Sequence, residues 1–191
     1  WKWERLVEKM DDYNGRSEYN PEKHNVIEKI YRYCDEDGKL LYEKVRYKGK
    51  GFRIRRPDPN NPEEFIWNLK GVIRLPYLLP KWKDSEKVII CEGEKDADAM
   101  NALSFSATST SFGAKSSWSK DLNPWFKNKI VYICYDVDDN GRTGTKIVAE
   151  ALMNVAKSVS IITLPSDKEK YDISDYIDEV NGDKTAIERL F

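Results

Sequence analysis

The stretch Val88-Ile89-Ile90-Cys91-Glu92 decides the fold of this chain, together with a second stretch further along, Ile130-Val131-Tyr132-Ile133-Cys134-Tyr135-Asp136-Val137-Asp138. Each is a continuous apolar run rich in valine and isoleucine that stops abruptly at carboxylates. Such runs are typical of strands buried on both faces of a parallel sheet, so we expect two central strands. Ligands of open α/β sheets bind beyond the carboxyl ends of the strands, which would bring Glu92, Asp136 and Asp138 into one crevice.

Carboxylates in such a crevice repel one another unless something positive lies between them. The simplest occupant is a hard divalent cation, which proteins hold with a few carboxylates while the ion keeps most of its waters. The sequence therefore predicts a metal site formed by Glu92, Asp136 and Asp138, with Mg²⁺ or Mn²⁺ as the ion.

The second half of the chain alternates strand and helix patterns. This order predicts an α/β fold in which a mostly parallel sheet carries helices on both faces. Gly93 permits a tight exit from the first strand, and segment 95–103 has the Ala, Met and Leu content of a helix. Further predicted elements are strands at 105–110 and 159–164, a helix at 145–156, and a helix start near 172–175. We expect residues 81–191 to form one domain.

The first half shows a different period. From Val26 onward apolar and polar residues alternate, and Asp35-Glu36-Asp37-Gly38 is a hairpin turn signal. The predicted antiparallel strands lie at 27–33, 41–48, 52–55 and 64–69. We therefore expect a small β-rich subdomain at 1–80, with the boundary between about Arg74 and Glu86.

This β-rich part carries a local excess of basic residues, although the whole chain has a formal net charge of -1. Between Glu43 and Arg56, seven basic residues accompany one acidic residue: Lys44, Arg46, Lys48, Lys50, Arg53, Arg55 and Arg56. Strand alternation predicts a basic face here, interleaved with Tyr and Phe, which is the electrostatic footprint expected for a phosphate backbone. The alternative is an ordinary solvated face whose charged side chains guard against aggregation.

The composition excludes several other classes of protein. The three cysteines, Cys34, Cys91 and Cys134, show neither zinc spacing nor a disulfide framework, which favours a reducing cytoplasm. There is no signal peptide, and no apolar run approaches the length of a membrane span. Because the chain begins at Trp1, we expect it to be a piece of a longer polypeptide.

Several motifs together resemble one known family. They are Cys91-Glu92-Gly93-Glu94-Lys95-Asp96 before an Ala-rich helix, the Gly113-Ala114 loop, Tyr135-Asp136-Val137-Asp138 with Gly141, and Asp172-Ile173-Ser174-Asp175. This combination resembles the Toprim domain, the catalytic module shared by bacterial replicative primases, topoisomerases and certain nucleases. The match covers roughly residues 87–180. It is most similar to primases and primase-helicases of phages, plasmids and mobile elements, since segments 31–38, 52–58 and 67–72 are similar to what precedes Toprim in those proteins.

The resemblance implies roles for the three carboxylates already identified. Glu92 matches the invariant glutamate of the family, which binds metal and acts as general acid or base at the reacting hydroxyl. Asp136 and Asp138 match the aspartates of the D-x-D motif, and alternate residues leaving a strand can both reach a metal.

The resemblance also implies three further metal ligands. Asp96 matches the aspartate that follows the glutamate in primases, and Asp172 and Asp175 stand where primases carry another acidic pair. The spacing here is Asp-Ile-Ser-Asp rather than Asp-x-Asp. The alternative for Asp96 and Asp172 is helix capping, because each lies near a predicted helix start.

The function implied is that of a metal-dependent DNA primase core, which makes short RNA primers on single-stranded DNA by nucleotidyl transfer. The 3′-hydroxyl must lose its proton and the triphosphate must release pyrophosphate, so negative charge builds at both oxygens. Two metal ions held by the acidic cluster would stabilise the attacking and the leaving oxygen together. The expected partners are a single-stranded DNA template, nucleoside triphosphates and a replicative helicase, with no membrane.

Two other functions remain open from the sequence. A Toprim-type nuclease would use the same metals for hydrolysis, and a non-catalytic nucleic-acid-binding module of a mobile-element replication protein would keep only the fold. A topoisomerase is disfavoured, because it needs a catalytic tyrosine on a further domain and no tyrosine here has a recognisable context.

Overall fold

The computed structural model describes residues 26–49, 51–61, 63–111 and 118–191. Two predicted features, Lys50 and the Gly113-Ala114 loop, lie outside these residues. The described chain forms a four-stranded antiparallel sheet followed by a four-stranded parallel sheet with helices on both faces. The predicted fold class is therefore confirmed. None of the helices in the described ranges is long and apolar enough to span a membrane.

The antiparallel sheet is a meander whose strands pair in chain order. Its strands are β1 (Ile27–Cys34), β2 (Leu40–Tyr47), β3 (Phe52–Pro57) and β4 (Phe65–Ile66). The Asp35 carboxylate closes the first hairpin, because it accepts hydrogen bonds from the backbone N–H groups of Asp37 (3.1 Å) and Lys39 (2.8 Å). This side-chain bonding explains why the predicted hairpin forms at that point.

The parallel sheet has the order β6-β5-β7-β8. Its strands are β5 (Lys87–Cys91), β6 (Ala107–Thr108), β7 (Ile130–Cys134) and β8 (Ser158–Ile161). The two predicted central strands, β5 and β7, do lie at the centre and pair directly with each other. Val88, Ile90, Val131 and Ile133 have no exposed surface, as expected for strands covered on both faces.

Helices cover the two faces of this sheet. They are α1 (Leu79–Trp82), α2 (Glu94–Ala102), a 3₁₀ helix (Lys120–Phe126), α3 (Asp139–Leu152), α4 (Ile173–Glu179) and α5 (Lys184–Glu188). One core cluster packs α2 and α4 against Ile89 and Cys91. A second packs α1, the 3₁₀ helix and α3 against Val88 and Ile90. The alternating side chains of one strand thus supply both cores.

The antiparallel sheet packs on the α2 side of the parallel sheet. Tyr31, Tyr33 and Tyr42 on one of its faces belong to the same core cluster as Ile89 and Cys91. The rings of Tyr33 and Tyr42 stack at 4.4 Å between centroids. The two sheets therefore share one continuous core, and the division at about residue 80 stays a prediction.

Helix α3 begins earlier than its sequence pattern predicts. It starts at Asp139 rather than near Thr145, because the Asp138 carboxylate caps it by accepting the backbone N–H of Gly141 at 2.7 Å. A Cβ atom at position 141 would lie 2.1 Å from the backbone oxygen of Asp136. Glycine is required there because the first turn of α3 lies directly against the end of the loop from β7.

The predicted single basic face is corrected by the strand register. Lys44 pairs with Ile54 and Glu43 pairs with Arg55, so Lys44 and Arg55 point to opposite faces of the sheet. Arg46 lies on the Lys44 face, since it pairs with Phe52. The prediction placed these cations together because it treated each strand separately. Only the pairing between strands decides which side chains share a face.

Candidate active site

The candidate site lies at the switch point of the parallel sheet. Helix α2 leads outward from β5 to β6, and α3 leads outward from β7 to β8 in the opposite direction. Cys91 and Cys134 pair in register at the carboxyl ends of β5 and β7. Glu92 directly follows the first strand, and Asp136 stands two residues beyond the second. This crevice is where open α/β sheets bind their ligands.

These carboxylates raise one another's pKa. Burial raises the pKa of Glu92 above its ordinary value, and the charge of Asp138 raises it further. Burial likewise raises the pKa of Asp136 to about 8, with the charges of Glu92 and then Asp96 as the next causes. Each group therefore disfavours ionisation of its neighbours, as clustered carboxylates do in the absence of a cation.

One oxygen of this cluster has no partner. Glu92 Oε2 is a buried atom that accepts no hydrogen bond from any described residue. A buried carboxylate oxygen without a donor is destabilising. A divalent cation would supply the missing interaction, so the residues present fit a metal at this position.

The other three predicted ligands, Asp96, Asp172 and Asp175, accept hydrogen bonds at the starts of α2 and α4. Asp172 caps α4 in a capping box with Asp175: each carboxylate accepts the backbone N–H of the other residue, at 2.9 Å and 3.2 Å. Asp96, in the first turn of α2, accepts a hydrogen bond from Ser174 Oγ at 2.6 Å. The capping alternative is therefore observed for Asp172. The cap uses Oδ1 of Asp172 and leaves Oδ2 for another partner.

A lysine lies between two of these acids. Lys95 Nζ is 2.6 Å from Asp172 Oδ2 and 3.6 Å from Asp96 Oδ1. Its side chain is half exposed, whereas those of Asp96 and Asp172 are 7% and 14% exposed. The ammonium group thus neutralises part of the acidic cluster, and nothing in the sequence pattern indicated this role.

The six predicted metal ligands do not form a coordination shell in this arrangement. Within the described ranges, no group of three or more His, Cys, Asp or Glu side chains is placed to hold a metal ion. Asp138 and Asp172 each direct one oxygen to a helix cap, and Lys95 engages the second oxygen of Asp172. The acids still affect one another's pKa. The assignment of these six residues as metal ligands stays a prediction.

Sequence reasoning assigned no role to Glu94, which the structure makes central. Its side chain is 4% exposed. Tyr33 donates its hydroxyl to Glu94 Oε1 at 2.6 Å, and Lys44 Nζ lies 2.8 Å and 2.9 Å from the two carboxylate oxygens. This ion pair joins β2 to the start of α2, two residues from Glu92. The sequence feature that could have indicated this role is the second carboxylate of Glu92-Gly93-Glu94, directly after β5.

Most of the predicted nucleic-acid-binding cations have partners within the protein. Arg55 pairs with the buried Glu43 at 2.6 Å, and Arg46 pairs with Glu28 at 3.1 Å. Arg56 donates to Asn68 Oδ1 at 3.3 Å. Lys48 and Arg53 are exposed, and Lys44 is the least exposed of the ion-paired cations at 13%. The structure therefore gives several of these cations a structural role, and contact with nucleic acid remains a prediction.

A cavity of about 740 Å³ adjoins Asp136. It lies between the first turns of α3 and the segment after β8, and it is lined on those sides by Arg142, Thr145, Ile162 and Leu164 among others. Its mixed polar and apolar lining and its volume suit a small-molecule ligand next to the carboxylates.

Replacing Asp136 by Asn is expected to stabilise the protein in a metal chelator. Between the ordinary pKa of 3.8 and the folded pKa of about 8, the folded state holds a proton that the unfolded state has released. The folding stability associated with this bound proton is therefore fully present below about pH 4 and is lost as the pH rises through 8. Urea unfolding above that pH should show a gain of about 1–2 kcal/mol, reduced by solvent screening because Asp136 is partly exposed.

The exposed Asp178→Asn is the matched control and should leave the free energy of unfolding unchanged. Parallel stability profiles for wild type and Asp136→Asn across this pH range would contradict the assigned repulsion. Added Mg²⁺ should raise the stability of wild type and leave that of Asp136→Asn nearly unchanged.

Comparison with known proteins concerns the fold of the chain. No family model and no curated protein sequence matches the chain. The primase fragment of the bacteriophage T7 primase-helicase is similar, with a TM-score of 0.60 at 19% identity over 85% of this chain and 62% of that one. The Aquifex aeolicus primase (zinc-binding and RNA polymerase domains) gives 0.63 at 21%, over 84% of this chain and 38% of that one.

A third similar structure shows T7 lagging-strand DNA polymerase with primase domains bound to an RNA/DNA hybrid and dTTP. Its TM-score is 0.57 at 19% identity, over 84% of this chain and 75% of that one. The chain spans less than two thirds of the T7 primase fragment and of the Aquifex protein. At these identities the similarity concerns the fold, and the described chain has the fold of DNA primase fragments from a bacteriophage and a bacterium.

Proposed function

We propose that this chain is the Toprim-type catalytic core of a DNA primase, which joins nucleoside triphosphates into RNA primers on single-stranded DNA. The observation that carries the proposal is the position of Glu92 and Asp136 just beyond the paired ends of β5 and β7, at the switch point of a primase-like fold, with a buried Glu92 oxygen that has no hydrogen-bond partner among the described residues. Similar primase domains are described bound to an RNA/DNA hybrid and dTTP, which fits this substrate class.

The residues that would hold the metal are Glu92, Asp96, Asp136, Asp138, Asp172 and Asp175. Bound Mg²⁺ or Mn²⁺, as one ion or two, would stabilise negative charge on the oxygens that attack and leave the phosphorus. We assign to Glu92 the role of accepting the proton of the attacking hydroxyl, and its raised pKa, which brings its basicity closer to neutral pH, supports this role. The cavity beside Asp136 offers room for the incoming nucleotide. We further propose a replicative helicase as partner and a cytoplasmic location.

The test is template-dependent incorporation of labelled ribonucleotides by the 191-residue chain on single-stranded DNA. Oligoribonucleotides should appear with Mg²⁺ or Mn²⁺ and disappear with chelator. Metal-dependent cleavage of the template without any synthesis would replace the proposal by the nuclease alternative. Neither synthesis nor cleavage, with DNA binding retained in chelator, would favour the non-catalytic module.

Replacing Lys95 by Gln is expected to tighten metal binding about three- to tenfold, which corresponds to about 1 kcal/mol for a half-exposed ion pair. The Lys95 ammonium group competes with a cation for Asp172 and Asp96. Isothermal titration with Mn²⁺ in the absence of nucleotide measures this effect directly.

Lys157→Gln is the matched control for this measurement. Lys157 pairs with Glu86 at 2.8 Å at the amino-terminal edge of the parallel sheet, far from the candidate site, so the Mn²⁺ affinity should not change. An unchanged or weaker Mn²⁺ affinity in Lys95→Gln would show that the lysine does not compete with the ion.

A further inference from the structure

Lys95 lies within the acidic cluster and engages carboxylate oxygens that a second metal ion would need. Its Nζ atom lies 2.6 Å from Asp172 Oδ2 and 3.6 Å from Asp96 Oδ1. The other Asp172 oxygen, Oδ1, accepts the backbone N–H of Asp175 at 2.9 Å. Both oxygens of Asp172 therefore already have a partner.

The two acids beside Asp172 are engaged as well. Asp96 Oδ1, which faces the lysine, accepts the Ser174 hydroxyl at 2.6 Å. Asp175 Oδ2 accepts the backbone N–H of Asp172 at 3.2 Å. A divalent ion binds carboxylate oxygens by direct contact. To bind between Asp96 and Asp172, such an ion would have to displace the Lys95 ammonium group.

Lys95 stands at a position that a helix does not favour for a cation. Helix α2 begins at Glu94, so Lys95 belongs to its first turn, at the positive end of the helix macrodipole. The contacts with the mostly buried Asp96 and Asp172 offset this repulsion. The charge of Lys95 is thus explained by these two acids and not by the helix that carries it.

The other half of the cluster, formed by Glu92 and Asp136, offers a different setting. Glu92 Oε2 is buried and accepts no hydrogen bond from any described residue. Burying such an oxygen without a donor is costly, and a bound cation would remove that cost. The cluster therefore combines one position that needs a cation with another that already holds the ammonium group of Lys95.

We propose that the site binds one divalent ion, at Glu92 and Asp136, and that the Lys95 ammonium group takes the place of a second ion at Asp96 and Asp172. This inference rests on the proposed function, because it specifies the cofactor of that same site. It departs from the two-ion arrangement expected from the sequence. The ammonium group carries a single charge, and it belongs to the chain, so this half of the cluster is partly neutralised without free metal.

Counting the bound ions tests the proposal. Equilibrium dialysis of the 191-residue chain against Mn²⁺, followed by metal analysis, should reach one ion per wild-type chain at up to about 1 mM free Mn²⁺. Lys95→Ala should bind two ions, because oxygens of Asp96 and Asp172 become available to the second. The wild-type count is a test in its own right and does not depend on the folding of any variant.

Three further variants locate the second ion. Lys95→Ala combined with Asp172→Asn should return to one ion, since the second ion loses a ligand. Lys95→Arg keeps the positive charge and should stay at one ion. Arg142→Ala is the matched control, because it removes a positive charge that pairs with the exposed Asp139 and lines the cavity beside Asp136; it should also stay at one ion. Thermal melting without metal checks that each variant is folded.

The outcomes distinguish this inference from the proposed function. Two ions on wild type, or one ion on both wild type and folded Lys95→Ala, would overturn the inference and leave primer synthesis in place as a proposal. A second ion that persists in the folded double variant would also overturn it, because that ion would bind elsewhere. One ion on wild type and two on Lys95→Ala, in a chain that makes no primers, would support the inference and refute the enzyme. No ion on wild type would overturn both.

Discussion

Primer synthesis by Glu92→Gln is expected to fall by roughly 10³-fold or more. Glutamine keeps the shape of the side chain but carries no charge and cannot accept a proton from the attacking hydroxyl. Glu92 Oε2 is buried and has no hydrogen-bond partner in the described part of the chain, so the neutral amide also removes the oxygen best suited to bind a cation. Incorporation of labelled ribonucleotides under metal-saturating conditions measures the loss.

Glu150→Gln serves as the matched control, because Glu150 is an exposed carboxylate on α3 and its loss should leave synthesis unchanged. Thermal melting in chelator should show that Glu92→Gln is folded and at least as stable as wild type, since a repelling charge has been removed. Synthesis within tenfold of wild type by folded Glu92→Gln would rule out the proposed role.

Lys44→Met is expected to cost about 3–5 kcal/mol of folding free energy, the usual loss when one partner of a buried ion pair is removed. The substitution keeps the length of the side chain, and it leaves Glu94, which is 4% exposed, with the Tyr33 hydroxyl as its one remaining side-chain donor among the described residues. Because this pair joins β2 to α2, the loss should appear as a lower midpoint of urea unfolding. Urea unfolding in chelator keeps metal binding out of the comparison.

Two further variants serve as controls for the Lys44→Met measurement. Lys157→Met breaks an exposed ion pair with Glu86 and should cost less than about 1 kcal/mol. Lys44→Met combined with Glu94→Gln should recover part of the loss, because no uncompensated charge then remains buried. A cost for Lys44→Met no greater than that for Lys157→Met would contradict the assignment of a buried structural pair.

The central strands and the hairpin were predictable because their signals are local. Apolar runs ending at Glu92 and Asp136 specify strands covered on both faces, and the Asp35 turn closes the hairpin through contacts within a few residues. The predicted start of α3 near Thr145 was wrong, because the local signal there was misleading. Asn140-Gly141 is typical of a turn, and the close packing of Gly141 on Asp136, which favours the helix, is not visible in the residue pattern.

Pairings between distant segments lie beyond any local pattern. The register of β2 with β3 places Lys44 and Arg55 on opposite faces, although both belong to one basic stretch of sequence. The partner of Lys44 is Glu94 and that of Lys95 is Asp172, each contributed by another element. Such contacts are specified only when strands pair and helices dock.

The sequence by itself determined the order of strands and helices, and it located the carboxylates Glu92 and Asp136 at strand ends. It did so because strand burial and turn chemistry are written in neighbouring residues. Only the tertiary structure decided which charges are available to a ligand. The interaction between two charges depends on their distance through space, and folding pairs Lys44 with Glu94 while Glu92 Oε2 has no hydrogen-bond partner among the described residues.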